Sequence, residues 1–343
     1  MPVPTTITNK LRFQCHQQAK EVPRIVIEAM EAQATQANHI LPSLFKYLSG
    51  ELPDSGNTWF IVYGPDERVL YVASCNRTPL GDYPLFIFTT IPTDRFTDDI
   101  AVADMKFLSD HMSPIIHHER IYSVFAIDVV AEAFANAWYA KTGIEPYRKP
   151  FYDCTGSFCT KRDLKPRRQM TVLSTQGIDY EIRRGTKVDI PEIAVLCELF
   201  AQESEPFILT PSQARLEATL LVEQNAVWVH RVRRRGTDDE WEIASIAACT
   251  RNTATMATIT KVYTNPDWRR NGCAERLTRE VCKQLFAVGK EKVALFVGND
   301  NPARFVYDKV GFVGLRDGTP RVQGVDRWLE IGFDKHRVRQ GHW

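Results

Sequence analysis

Residues 256–277, MATITKVYTNPDWRRNGCAERL, decide how the rest of the chain is read. Residues 256–263 alternate small or apolar side chains with Thr and Lys and are rich in β-branched residues, the pattern of a strand, which Thr264-Asn265-Pro266 stops. From Ala274 onward, Ala274, Leu277, Val281, Leu285 and Val288 recur at helical spacing, with Lys283 and Lys290 placed late, where they complement the negative end of the helix dipole. Between strand and helix lies Arg269-Arg270-Asn271-Gly272-Cys273-Ala274. Gly272 can take a backbone conformation that a side chain disfavours, Cys273 and Ala274 are small, and the free N–H groups of a helix start point out of the turn. Such a turn suits an anion. Two arginines beside it favour phosphate or pyrophosphate over a carboxylate, because several oxygens can be bonded at once. An ordinary strand-to-helix turn can have the same composition, so the loop needs support from elsewhere.

That support follows downstream. Residues 292–297, KVALFV, read as a short buried strand; Asn299-Asp300-Asn301-Pro302 starts a brief helix through Tyr307, and Gly311-Phe312 begins another strand. The pattern Val262-Tyr263-Thr264-x-Pro266-x-x-Arg269-x-x-Gly272-x-Ala274, then Asn301-Pro302-Ala303-x-x-x-Tyr307-x-x-x-Gly311-Phe312, resembles the acetyl-CoA core of the GNAT acetyltransferase superfamily. Two motifs in the right order and at the right separation carry the resemblance, which covers the chain from about residue 180 onward.

The resemblance implies acyl transfer from acetyl-CoA, a co-substrate, to an amine by direct attack in a ternary complex, with no metal. Arg269, Arg270 and the backbone of Asn271, Gly272, Cys273 and Ala274 would hold the pyrophosphate. Exposed backbone at Val262, Tyr263 and Thr264 would pair with the pantetheine and polarise the thioester carbonyl, and Asn301 would complete the cofactor site. Tyr307 stands where the family usually has a general acid; a phenol of pKa about 10 can donate to a thiolate of pKa about 8 to 9. Its alternative is a ring packed beside Phe305 and Phe312.

The base is harder to assign. An alkylammonium of pKa about 10.4 is neutral in only about one molecule in 2,500 at pH 7, so a carboxylate or a water chain would help. The usual strand position offers Thr258, Thr260 and Lys261 and no Glu. Glu203 and Glu205, between the first two helices of the second half, are the replacements, with solvated loop acids as the plain alternative. Cys273 at a helix start would favour a thiolate, although a small residue is needed there anyway. Adjacent rings in His117-His118-Glu119 point apart, which favours a surface role over a metal. Arg231, Arg233, Arg234 and Arg235 face Asp238, Asp239 and Glu240 across a hairpin, a solvated charge pattern.

At 343 residues the chain is long for one core, and two domains are expected. Hydrophobic residues at 44% and charged ones at 25% are ordinary globular values. A net charge of +1 argues against a dedicated nucleic-acid binder. No apolar run is long enough to span a membrane, and MPVPTTITNK lacks a signal peptide's apolar core, so the expected location is cytoplasmic or nuclear. The 8 cysteines show no zinc-site spacing and read as reduced thiols.

The first half reads as two helices in 21–48 interrupted at Pro42, a hairpin of 58–63 and 68–74, a strand at 84–91, a helix at 98–111, a strand at 121–127 and a helix at 129–141 stopped by Gly143. The second half has a strand at 180–183, helices at 190–201 and 211–223, a hairpin of 226–233 and 241–249, and then the elements described above, ending in a strand at 327–333. The shared order suggests an internal repeat. In the first half the matching turn, 92–99, has no glycine and carries Asp94, Asp98 and Asp99 where the second has arginines, so pyrophosphate would be repelled.

The sequence therefore predicts an α/β (α+β) protein of two GNAT-like domains, each a mixed, mostly antiparallel sheet flanked by helices. Residues 1–150 form a degenerate, non-catalytic copy, 151–177 a basic linker with Lys161, Arg162, Lys165, Arg167 and Arg168, and 178–343 the catalytic domain. The expected activity is N-acetylation of a small-molecule amine; a protein lysine acetyltransferase and a non-catalytic acyl-CoA sensor are the rivals.

Overall fold

The structure, a computed structural model, describes residues 11–166, 177–236 and 240–342. The basic pair Arg167 and Arg168 and the acids Asp238 and Asp239 lie outside the described residues, as does the N-terminal decapeptide. The chain divides into two compact units: Met1–Asp153 with Arg327–Trp343, and Cys154–Asp326.

In the first unit the order is β1 (Arg12–His16), α1 (Arg24–Ala32), α2 (Leu41–Leu48), β2 (Thr58–Tyr63), β3 (Val69–Cys75), the short β4 (Arg77–Thr78) and β5 (Gly81–Asp82), β6 (Leu85–Thr89), α3 (Asp98–Met112), β7 (Ser123–Ile127) and α4 (Asp128–Thr142). Pro42 falls in the first turn of α2, where its missing N–H costs nothing, and Gly143 caps α4 in the left-handed conformation. Strands β1, β2, β3 and β6 are antiparallel, and β6 runs parallel to β7.

From β8 (Tyr152–Thr160) onward the second unit adds β9 (Ile178–Arg184), α5 (Ile190–Gln202), α6 (Pro211–Glu223), β10 (Val227–Arg234), β11 (Glu242–Ala248), β12 (Arg251–Asn252), β13 (Met256–Ile259), β14 (Lys261–Thr264), α7 (Cys273–Ala287), β15 (Lys292–Gly298) and α8 (Ala303–Val310), and β16 (Asp326–Gly332) ends the series. Strands β9, β10, β11 and β14 form an antiparallel set, while β13 runs parallel to β15. Helix α7 packs Leu277, Val281 and Leu285 with Trp228, Val293 and Leu295; α5 and α6 pack Ile193, Leu196 and Leu221 with Val229 and Ile246. The helical spacing of these residues sets both cores.

With the two-residue strands β4, β5 and β12 set aside and β13 and β14 counted as one, each half repeats one order, strand, two helices, three strands, helix, strand, helix, strand. The last strands are exchanged. The strand after α4, β8, pairs with β15 through Cys154↔Gly298 to Thr160↔Lys292, and the strand after α8, β16, pairs with β7. The boundaries expected from sequence are corrected accordingly: residues 152–160 are a strand rather than linker, and 327–343 belong to the first unit. YDCTGSFCT has no run of branched apolar residues to announce a strand; its buried positions, among them Cys154, Gly156, Ser157 and Cys159, are mostly small. The strand expected at Gly311-Phe312 does not form. Gly311, at φ 127°, ends α8 where a Cβ would lie 2.1 Å from the Asp163 carbonyl oxygen, and Phe312 turns into the core.

One ion pair fixes the start of the second unit's helical layer. Arg183 on β9 grips buried Asp189 with two bonds of 2.6 and 2.9 Å, and the Thr186 N–H and hydroxyl donate to the same carboxylate at 2.7 Å. Burial acts upward on the Asp189 pKa, but these donors outweigh it and bring it down to about 2. Because the folded value lies below the unfolded one, the stabilisation is present above about pH 4 and is lost as the pH falls through about 2. Asp189→Asn should therefore cost about 2 kcal/mol at neutral pH. Urea unfolding should show the gap between wild type and variant shrinking below pH 4; a pH-independent gap would contradict the assignment.

Candidate active site

The strand of residues 256–264 changes partners midway. Its first part, β13, pairs with β15 from Met256↔Lys292 to Ile259↔Leu295, while its second part, β14, pairs among the described residues only with β11, from Lys261↔Ala248 to Thr264↔Ser245. Thr260 sits at the break, its N–H 2.8 Å from the Ala248 carbonyl and its hydroxyl 3.0 Å from that of Thr250. Beyond it β14 is an edge strand and β15 continues without it, so the two part like a V. The Asn265 N–H bonds the Ala244 carbonyl; by strand alternation Lys261 and Tyr263 direct their backbone groups to β11, and Val262 and Thr264 direct theirs into the gap. The backbone that sequence reasoning expected to be exposed is thus an open strand edge, able to pair with an extended ligand.

The turn that follows carries two left-handed residues, Arg270 at φ 62° and Gly272 at φ 69°. Gly272 is the residue before α7 and offers no side-chain cap, and the first helical bond runs from the Arg276 N–H to the Gly272 carbonyl. The N–H groups of Cys273, Ala274 and Glu275 therefore precede any intrahelical acceptor. Asn271 spends its amide on the Trp268 and Arg269 carbonyls, bracing the turn. One turn into the helix, buried Arg276 donates from Nε to His230 Nε2 at 3.0 Å and from Nη2 to Cys273 Sγ at 3.3 Å, with Tyr180 under its guanidinium. Sequence reasoning missed this buried cation; its signal was a charged residue beside the apolar stripe of Cys273, Leu277 and Val281.

Other expected site residues are distributed differently. Arg269 turns back over the Tyr263 ring and binds Glu203 at 2.6 Å, the Tyr263 hydroxyl at 3.0 Å and the Thr264 carbonyl at 3.3 Å, rather than reaching out of the loop. Arg270 is exposed. Glu203, just after α5, also accepts from the Tyr263 hydroxyl at 2.8 Å. Burial pushes upward on Glu203, but hydrogen bonds from Arg269 and Tyr263 prevail and leave its pKa below the usual range; burial and Glu203 push the Tyr263 phenol up to about 12. A carboxylate so held is a weak base. Glu205 is exposed two residues further on, and Asn301 uses its side chain to accept from the Ala303 N–H at 2.9 Å, capping α8.

Tyr307 on α8 is buried with Val297, Phe312 and Val262 in one cluster, its ring edge-on to Phe312 at 5.9 Å, whereas Phe305 is exposed. Burial alone raises its pKa. A second unpredicted pair, Lys261 with Glu217 at 2.7 Å to both carboxylate oxygens, joins β14 to α6 over the Phe200 ring. In the first unit, by contrast, Thr97 caps α3 by accepting from the Ile100 N–H at 3.4 Å, and the Thr97 carbonyl takes the same N–H at 3.1 Å. Among the described residues, no group of three or more His, Cys, Asp or Glu is placed to hold a metal ion, and no helix is long and apolar enough to cross a membrane.

The parting of β14 from β15, the glycine turn and the uncapped helix belong to the second unit; the chain as a whole has the fold of solved GNAT structures, a tandem one among them. Residues 238–321 match the family model of FR47-like proteins. Among solved structures, a GCN5-related N-acetyltransferase from Sphaerobacter thermophilus superposes with a TM-score of 0.54 at 15% identity, covering 94% of this chain and 95% of that one. A tandem GNAT protein of the clavulanic acid biosynthesis pathway gives 0.50 at 14% identity, covering 94% and 98%, and a Drosophila protein gives 0.58 at 12%, also covering 94% and 98%. These likenesses are of fold. No curated protein matches the chain by sequence.

The turn's geometry makes Gly272 the sensitive position. Gly272→Asp places a side chain in the left-handed region and a carboxylate at the helix start where an anion would sit. Titration calorimetry should show acetyl-CoA affinity reduced by more than tenfold, and an unchanged affinity would refute the anion site.

Proposed function

We propose that the chain is an acetyl-CoA-dependent N-acetyltransferase acting on a small-molecule amine, with the second unit as the catalytic one. The observation that carries this reading is the open edge of β14 ending in the uncapped start of α7. An extended pantetheine arm pairs with an exposed strand edge, and its pyrophosphate suits the N–H groups of Ala274 and Glu275 at a helix start, with buried Arg276 one turn behind. Val262 and Thr264 would hold the arm, and the turn from Asn271 to Ala274 the phosphates.

Acetyl-CoA supplies an activated acyl group; the protein's own share is orientation and proton handling. A backbone N–H in the gap that donates to the thioester oxygen stabilises charge as it develops there. Tyr307, its pKa raised by burial, stays protonated through neutral and mildly alkaline pH and serves as proton donor to the departing thiolate. The acceptor must lose a proton to react. Glu203 is engaged by Arg269 and Tyr263, so the proton is better taken by solvent or by exposed Glu205. The balanced charge favours a small acceptor over nucleic acid.

We read the first unit as non-catalytic. At the start of α3 the Ile100 N–H is spent on Thr97, and Asp94 and exposed Asp99 oppose an anion there.

The test is thiol release from acetyl-CoA across a panel of amines, followed by Tyr307→Phe in the best pair. With the ring and its packing kept, kcat should fall by roughly 10² to 10⁴ with acetyl-CoA affinity unchanged. Wild-type kcat in the variant, where chemistry limits the rate, would remove Tyr307 from the mechanism. Acetyl-CoA binding with no turnover on any amine would favour the sensor.

A further inference from the structure

Arg269 belongs by position to the phosphate turn, yet its guanidinium lies over the Tyr263 ring and on Glu203. The three side chains form a closed triangle: Arg269 Nη2 to Glu203 Oε1 at 2.6 Å, Tyr263 hydroxyl to Glu203 Oε1 at 2.8 Å, and Arg269 Nη2 to the Tyr263 hydroxyl at 3.0 Å. Two corners differ in firmness. Tyr263 is buried and fixed in β14, whereas the Arg269 and Glu203 side chains are 44% and 55% exposed. An ion pair that exposed is worth only a few-fold in an equilibrium constant, so a stronger anion can take the arginine. A phosphate offers that, since it carries more charge and several oxygens for the guanidinium fork.

We propose that Glu203 is an internal counter-anion for Arg269, and that phosphate of the incoming CoA takes Arg269 from it, so that Glu203 tunes cofactor affinity without touching the cofactor. The inference rests on the acetyl-CoA reading given above. After the exchange Glu203 keeps the Tyr263 hydroxyl and loses its cation. It then presents a charged carboxylate at the connection between α5 and α6, where its chemistry suits an ammonium group, and the exchange couples the cofactor to a cationic acceptor. By linkage the coupling acts equally in both directions. Asp267, Arg270 and Glu205 are the other charged residues of the two facing segments; all three are exposed and lie outside the triangle.

The experiment is acetyl-CoA titration calorimetry on the full chain and four variants. Glu203→Gln removes the competing charge and should tighten binding by about two- to fivefold. Arg269→Gln should weaken it, and in the Arg269→Gln background Glu203→Gln should have no further effect. Glu205→Gln removes an equal charge two residues away and should tighten binding less. A purely structural role for Glu203 would loosen binding when it is lost, never tighten it. Unchanged or weaker affinity in Glu203→Gln, tightening that persists without Arg269, or equal tightening in Glu205→Gln would each overturn the exchange. A wild-type chain that binds no acetyl-CoA would instead overturn the reading on which the exchange rests.

Discussion

The change of hydrogen-bonding partner at Thr260 is the constraint on which the second unit depends. A strand cannot bond β15 and stay in register with β11 along its whole length here, so its first four residues take one neighbour and its last four the other. Because β13 and β15 are parallel, both run toward the same end of the sheet, and the gap opens there with backbone groups on its walls. The helix that starts after β14 opens at the same end, which brings a strand edge and a helix dipole to one place. Buried Arg276, hydrogen-bonded to His230, adds positive charge below that helix start. The site is a consequence of strand pairing before it is a set of side chains.

The exchanged terminal strands bear on how the chain holds together. Each unit closes its own sheet with a strand from the other half of the sequence, β8 beside β15 and β16 beside β7. Ser123 on β7 donates to the buried Glu330 of β16 at 2.7 Å, so the added strand is tied by side chains as well as by its ladder. Cutting the chain between its halves would remove a strand from each sheet. Repeats that fold side by side in sequence need not be separable pieces.

Much of this was legible in the sequence, because helical and strand periodicity survive in long amphipathic segments; α5, α6 and α7 fall within a residue or two of their expected limits. The glycine turn before α7 was legible because glycine and small residues there answer a backbone requirement. What misled was of two kinds. Strand β8 is built of small residues, and its partner lies far along the chain, so no local pattern announces it. The roles of Arg269 and Glu203 were assigned by residue type, whereas the fold commits each to the other and to Tyr263 across 66 residues of chain; Asn301 is instead taken up locally, by the N–H two residues on. The Lys261–Glu217 pair likewise spans 44 residues. Side-chain partners distant in sequence leave no periodic trace.

Amide hydrogen exchange of the full chain with and without acetyl-CoA tests the central claim most directly, since it reads backbone N–H groups at the site itself. The account predicts new protection at Val262 and Thr264 and over residues 271–275, with none over residues 94–101 of the first unit. Protection in 94–101, or none at the edge of β14, would contradict it.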